Sequence, residues 1–165
     1  MAKKAKKKTR SPEPVAEAAG TMLAYKVALK FETSIWRRIE MQPHHTLHDL
    51  HWAIYDAFDR WEEHLYAFYL MKPGARSRKA LWEAKQFLHP AAYDPWEERT
   101  YDATEVQLQQ LSLRHGRKFE YEFDFGDEWW HEITFEGARP ADPNVEYPRV
   151  AESKGKSPPQ YPDVG

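Results

Sequence analysis

The chain predicts an α+β fold, antiparallel strands with one helix packed across the sheet. Three observations carry this. Two strictly alternating apolar runs follow one another early in the chain, at 25–31 and 35–41. The apolar period then changes to helical spacing over 46–61. Near the other end, "KFEYEFDFGDEWWHEITF" (118–135) alternates on both sides of a glycine. Period two marks strands and period 3.6 marks helices, because side chains alternate along one and rotate around the other.

The elements follow in order. "YKVALKF" sets Tyr25, Val27, Leu29 and Phe31 against Lys26, Ala28 and Lys30. "IWRRIEM" sets Ile35, Arg37, Ile39 and Met41 against Trp36, Arg38 and Glu40, and a short polar break between the runs predicts an antiparallel pair. Pro43 ends the second strand, since it has no amide to give to a ladder. In "TLHDLHWAIYDAFDRW" the residues Leu47, Leu50, Ile54, Ala57, Phe58 and Trp61 share one helical face. Thr46 is a suitable N-cap, and Asp49 lies near the positive helix end. "HLYAFYLM" (64–71) reads as a further strand. Residues 72–104 hold no sustained period and read as a long irregular insertion, functional or mobile. "VQLQQLSL" (106–113) is a short strand or helical turn. In the hairpin, Phe119, Tyr121, Phe123 and Phe125 share one face and Glu120, Glu122 and Asp124 the other, joined through a tight Gly–Asp turn to Trp129, His131, Ile133 and Phe135. After Gly137 the chain is Pro-rich, an extended or frayed segment.

Composition bounds what such a domain can be. The chain has 165 residues, 41% hydrophobic and 15% aromatic, enough for one domain (21–165) with a core of large rings. With no Cys, disulfides, thiolate metal sites and a cysteine nucleophile are excluded. No apolar run approaches a membrane span, and no apolar stretch follows "MAKKAKKKTR", so a cytoplasmic location is expected. Residues 1–20 hold six basic and two acidic residues. Of 24 basic and 26 acidic residues in all, 18 and 24 remain for 21–165, a net −6. Residues 1–20 therefore read as a disordered basic arm, either a weak nucleic-acid contact or a solubilising tail.

Two sets of residues carry possible chemistry. His48 and His51 stand three apart on the helix, His64 opens a strand, and Asp124, Asp127 and His131 surround the hairpin turn. Converged, such ligands would suit a divalent metal such as zinc, manganese or iron. Against this, an Asp beside a turn glycine commonly accepts backbone amides, and a His among rings commonly satisfies a core hydrogen bond. "DFG" also occurs in protein kinases, but no glycine-rich loop or strand lysine accompanies it here. The second set is aromatic and cationic. Trp36, Trp52, Trp61, Trp129 and Trp130 exceed what so small a core can bury, and exposed rings beside polar groups mark interfaces. Arg37 and Arg38 are candidates for added phosphate or carboxylate contacts, although as neighbours in a strand they point to opposite faces.

The motifs "IWRRIEM", "TLHDLHWAIYDAFDRWEEHLYAF", "YEFDFGDEWWHEI" and "SPPQYPDVG" occur in an order that resembles the plasmid pRiA4b ORF-three-like family. The resemblance covers nearly everything but the arm. It implies a curled, roll-like, mostly antiparallel sheet with a helix on one face, and a protein associated with plasmids or mobile elements. The motif-matching ligand candidates are His51, His64, Asp124, Asp127 and His131. The family's terminal motif usually carries a Cys and an acid where this chain has Ser157 and Gln160, and the helix that usually follows that motif in the family would fall after Gly165. Some relatives carry a transposon-resolvase label. A serine recombinase needs an activated Ser among arginines, whereas Ser11, Ser34, Ser77, Ser112, Ser153 and Ser157 fall mostly in loops or tail, and no helix-turn-helix is visible. The reading is a non-catalytic binding module using Trp36, Arg38, Trp129 and Trp130 toward a protein or nucleic-acid partner. The alternative is a metal-dependent enzyme built on the His/Asp set.

Overall fold

The computed structural model describes residues 20–162. The expected disorder of the basic arm falls on residues that, Gly20 apart, lie outside this range. The elements are β1 (Thr21–Leu29), β2 (Glu32–Met41), α1 (Leu47–Ala57), β3 (Tyr66–Leu70), α2 (Arg78–Trp82), β4 (Lys85–Leu88) and β5 (Thr100–Asp102). Two 3₁₀ turns, Ala103–Glu105 and Leu108–Leu111, lead to β6 (Lys118–Phe123), β7 (Trp129–Pro140) and β8 (Arg149–Lys154). The fold is α+β.

The eight strands form one unclosed sheet in the order β5-β4-β3-β6-β7-β1-β2-β8. Every pair is antiparallel except β4 with β5. The first two strands pair as the alternation predicts, with Tyr25 opposite Ile39 and Val27 opposite Arg37. β7 is 12 residues long and serves two neighbours, β6 through Tyr121 opposite His131 and β1 through Val27 opposite Ile133. The hairpin of the sequence is thus the middle of the sheet.

One strand face carries Tyr25, Val27, Leu29, Ile39, Phe68, Phe119, Tyr121, Phe123, Ile133 and Phe135. These belong to the same buried cluster as Leu47, Leu50, Ile54 and Phe58 from the helical segment. The helix begins where a capping box predicts it. Thr46 Oγ1 accepts the Asp49 amide at 3.1 Å, and Asp49 Oδ2 accepts the Thr46 amide at 2.8 Å.

Several expectations are corrected. The helix stops at Ala57, because Asp59 adopts φ 56°, so Trp61 leaves the helical face and is 67% exposed. Phe31 and Phe125 lie outside the strands and are exposed rather than on the aromatic face. The hairpin is closed by five residues, Asp124 to Glu128, not by a tight Gly–Asp pair. The irregular insertion contains two strands: β4 adds to β3, and β5 adds to β4 in parallel. The Pro-rich end pairs as β8 with β2 and then buries Ser157 and Gln160. Among the described residues, no helix is long and apolar enough to cross a membrane.

Candidate functional site

At the hairpin turn, Asp124 folds back on its own loop. Its Oδ1 accepts the amides of Gly126 at 3.0 Å and Asp127 at 3.3 Å, and its φ of 67° is one that Asp tolerates better than most residues. Its other oxygen, Oδ2, lies 3.5 Å from His64 Nε2. His64 Nε2 is also 2.7 Å from the Tyr161 hydroxyl, and that hydroxyl donates to Glu62 Oε1 at 2.6 Å. Because the single phenolic hydrogen goes to Glu62, Tyr161 Oη accepts from His64, which places a proton on Nε2. The bond to Glu62 raises the Tyr161 phenol to about 12. Gln160 locks the adjoining backbone: its Oε1 accepts the Trp61 and Glu62 amides, and its Nε2 donates to the Glu62 carbonyl. Ser157 Oγ donates to the Phe58 carbonyl. The two positions where the chain departs from the motif are therefore filled by neutral groups that tie the terminal segment to residues 58–62.

The remaining histidines are held elsewhere. His51 Nδ1 is 2.6 Å from the Tyr121 hydroxyl, and its ring stacks on Tyr66 at 4.0 Å. Burial lowers its pKa to about 2, with His48 and His89 adding to the effect. His48 Nε2 accepts from Trp52 Nε1 at 3.2 Å, so its own proton sits on Nδ1, which faces the Tyr66 hydroxyl at 2.6 Å. His131 is fully buried, with Nδ1 3.3 Å from the Tyr121 carbonyl. Burial and the nearby Arg60 lower its pKa to about 3. The structure thus brings His64 and Asp124 together, leaves Asp127 exposed on the loop, and fixes His51 and His131 on Tyr121. Among the described residues, no three His, Cys, Asp or Glu side chains are grouped so as to hold a metal ion.

Arg60 escaped the sequence reading. It is 5% exposed, its Nε and Nη1 find no hydrogen-bond partner among the described residues, and its Nη2 lies 3.4 Å from His131 Nε2. The rings of Trp129, Phe123 and Phe58 surround the guanidinium at 4.6, 5.4 and 5.5 Å. Burial lowers its pKa to about 10, so it remains charged at neutral pH. Nothing in a lone "DRW" signals a cation in the core.

The aromatic set divides between faces. Trp129 lies on the His131 side of its strand, over Arg60, whereas Trp130 turns outward onto Tyr69 at 5.3 Å between ring centroids. On the same outward side, Lys26 and Arg38 both approach the Trp36 ring, at 4.8 and 5.0 Å. Glu136 and Glu152 pair with Arg38. Arg37 points the other way, and its guanidinium donates to the carbonyls of Ala57, Trp36, Lys154 and Gly155. Beside Trp130 is a cavity of about 360 Å³ lined by Lys30, Phe31, Leu81, Glu120, Glu128 and Trp130. Leu81 comes from the insertion, which sequence periodicity could not place.

Residues 21–165 match the family model described as plasmid pRiA4b ORF-3-like protein. No curated protein matches the chain. Among solved structures, the chain is similar to a crystal structure of a protein of unknown function from Methanosarcina mazei Go1. The two are 24% identical, the match covers 86% of this chain and 73% of that one, and the TM-score is 0.66. At that identity the likeness speaks for the fold alone.

Proposed function

The chain belongs to the plasmid pRiA4b ORF-3-like family, and from that premise we propose that it is a non-catalytic binding module that grips a protein partner on the outward face of its sheet. One observation carries the reading, the 360 Å³ cavity walled by Phe31, Leu81 and Trp130 with Lys30, Glu120 and Glu128 at its edge. A concave apolar pocket with a few charged groups around it is what anchors a partner side chain. Phe31 is 64% exposed, an apolar ring left in water beside that pocket. On this reading the sheet is curled, roll-like, with the helix packed on its opposite face, and the irregularities within β1 and β2 supply the bend. The protein works in the cytoplasm in association with a plasmid or mobile element, and the basic arm adds at most a weak nucleic-acid contact.

A metal-dependent enzyme at the hairpin would need His51 and His131 to give up Tyr121 and leave the core. The binding reading asks nothing of them. A photo-crosslinking residue at Phe31 in the full chain, expressed in its source cells, is expected to capture a protein that wild-type bait also retains. Phe31→Asp or Trp130→Ala should lose that protein by at least tenfold, while Trp96→Ala, at a site 90% exposed elsewhere, keeps it. Retention by both pocket variants would overturn the proposal.

A further inference from the structure

A second and larger cleft adjoins the first and shares Lys30 and Glu120 with it. Its volume is about 820 Å³, and it lies between residues 70–76 and 111–118. The floor is apolar, with Leu70, Met71, Leu111, Leu113 and Phe119. The rim is cationic, with Arg76, Arg114 and Arg117 joining Lys30 and Lys118. Among the described residues, the ion pairs of this cleft are Lys30–Glu120 and Lys118–Glu132, which use up both acids in its lining. Among the described residues, the guanidinium groups of Arg76, Arg114 and Arg117 pair with no carboxylate. Arg117 is also held in place, since its Nη2 donates to the Met71 carbonyl at 2.6 Å and its Nη1 to the Lys118 carbonyl at 3.3 Å. This concentration of positive charge stands on a body, residues 21–165, whose net charge is −6.

We propose that this cleft binds an acidic peptide segment of the partner, its carboxylates on Arg76, Arg114 and Arg117 and its apolar side chains on the leucine floor. The proposal rests on the binding-module reading and names the partner's chemistry. Planar guanidinium groups recognise carboxylates and phosphates with paired hydrogen bonds, so charge alone leaves both open. The floor decides between them. A single-stranded nucleic acid binds by stacking its bases on exposed rings, and this lining offers few: Phe119 is 2% exposed, His115 is the other ring, and the exposed Phe31 belongs to the adjoining pocket. A leucine-lined floor below a cationic rim instead suits a chain that alternates acidic and aliphatic side chains, and the neighbouring Phe31–Trp130 pocket can take its next anchor.

The test uses the full chain and two labelled probes, an alternating Glu-Leu peptide of about eight residues and a single-stranded oligonucleotide of the same net charge. The peptide is expected to bind saturably at low salt and to weaken as salt rises. Charge reversal at exposed sites, R76E with R114E, should weaken it at least tenfold, and Arg117→Lys, which keeps the charge but loses the fork, should weaken it less. Absence of saturable peptide binding, or equal binding by R76E/R114E, would overturn the proposal. So would oligonucleotide binding that exceeds the peptide's and is lost in R76E/R114E. Peptide binding that survives Phe31→Asp would uphold the cleft even if the crosslinking experiment failed, so the two ideas fail separately.

Discussion

Asp124 shows how one residue can carry the signature of chemistry while doing structural work. Its carboxylate closes a five-residue loop by accepting two amides, and its backbone occupies the left-handed region at φ 67°. Asn accepts the same amides and tolerates the same φ, so Asp124→Asn should cost only about 0.5–1.5 kcal/mol. Ala provides no acceptor and dislikes the backbone angle, so Asp124→Ala should cost about 1–3 kcal/mol or more. Asp127 is exposed and contributes its backbone amide to the loop, so Asp127→Asn should stay within about 0.5 kcal/mol of wild type. Urea denaturation of the three variants checks the order, and melting with and without chelator should coincide for each. A large chelator effect in wild type that Asp124→Asn abolishes would restore a metal role to this turn.

At the scale of elements, what the sequence made legible was what is locally determined. Thr46 and Asp49 announce the helix start because a capping box is built within four residues. The strands with period-two alternation appear where expected because the large apolar side chains of each lie on one face, in the core. β4 and β5 could not be read, since they have four and three residues and exist only by joining an edge already formed by β3. A three-residue segment has no period to detect, and tertiary pairing decides its state. The candidate site was legible to the same degree. His64 and Asp124, both legible as candidates, do meet, but Tyr161 joins His64, and Arg60 joins His131, through contacts across the fold that no local spacing encodes. The insertion is nonetheless part of the core: Phe87 is 6% exposed and stacks on Tyr101 at 5.2 Å. Phe87→Ala should therefore cost about 3–5 kcal/mol, whereas Trp96→Ala, 90% exposed in the same insertion, should change stability by less than about 0.5 kcal/mol. Equal and small losses in thermal or urea unfolding would mean that the insertion is not docked through Phe87.

For the molecule as a whole, the two histidines held on Tyr121 make stability a function of pH. The Tyr121 hydroxyl meets His51 from the helix, and its carbonyl meets His131 from β7, so one buried tyrosine joins helix and sheet centre through two neutral imidazoles. Burial lowers both, His51 to about 2 and His131 to about 3, with Arg60 adding to the shift of His131. In the unfolded chain each titrates near 6.5. The unfolded state therefore binds more protons between about pH 6.5 and pH 3, and stability must fall as pH falls through that window. Above about 6.5 the contribution is fully present. Each histidine removes about 1.4 kcal/mol per pH unit below that point, so the pair removes about 4 kcal/mol between pH 7 and pH 5. Urea unfolding at those two pH values should show that loss, against a total stability of only about 5–15 kcal/mol for an ordinary domain. In His131→Gln the difference between the two pH values should shrink by about 2 kcal/mol, the share of that one imidazole, whatever the variant's stability at pH 7. A wild type equally stable at both pH values would show that the imidazoles gain protons without leaving the core, and the link through Tyr121 would then not be what acid breaks.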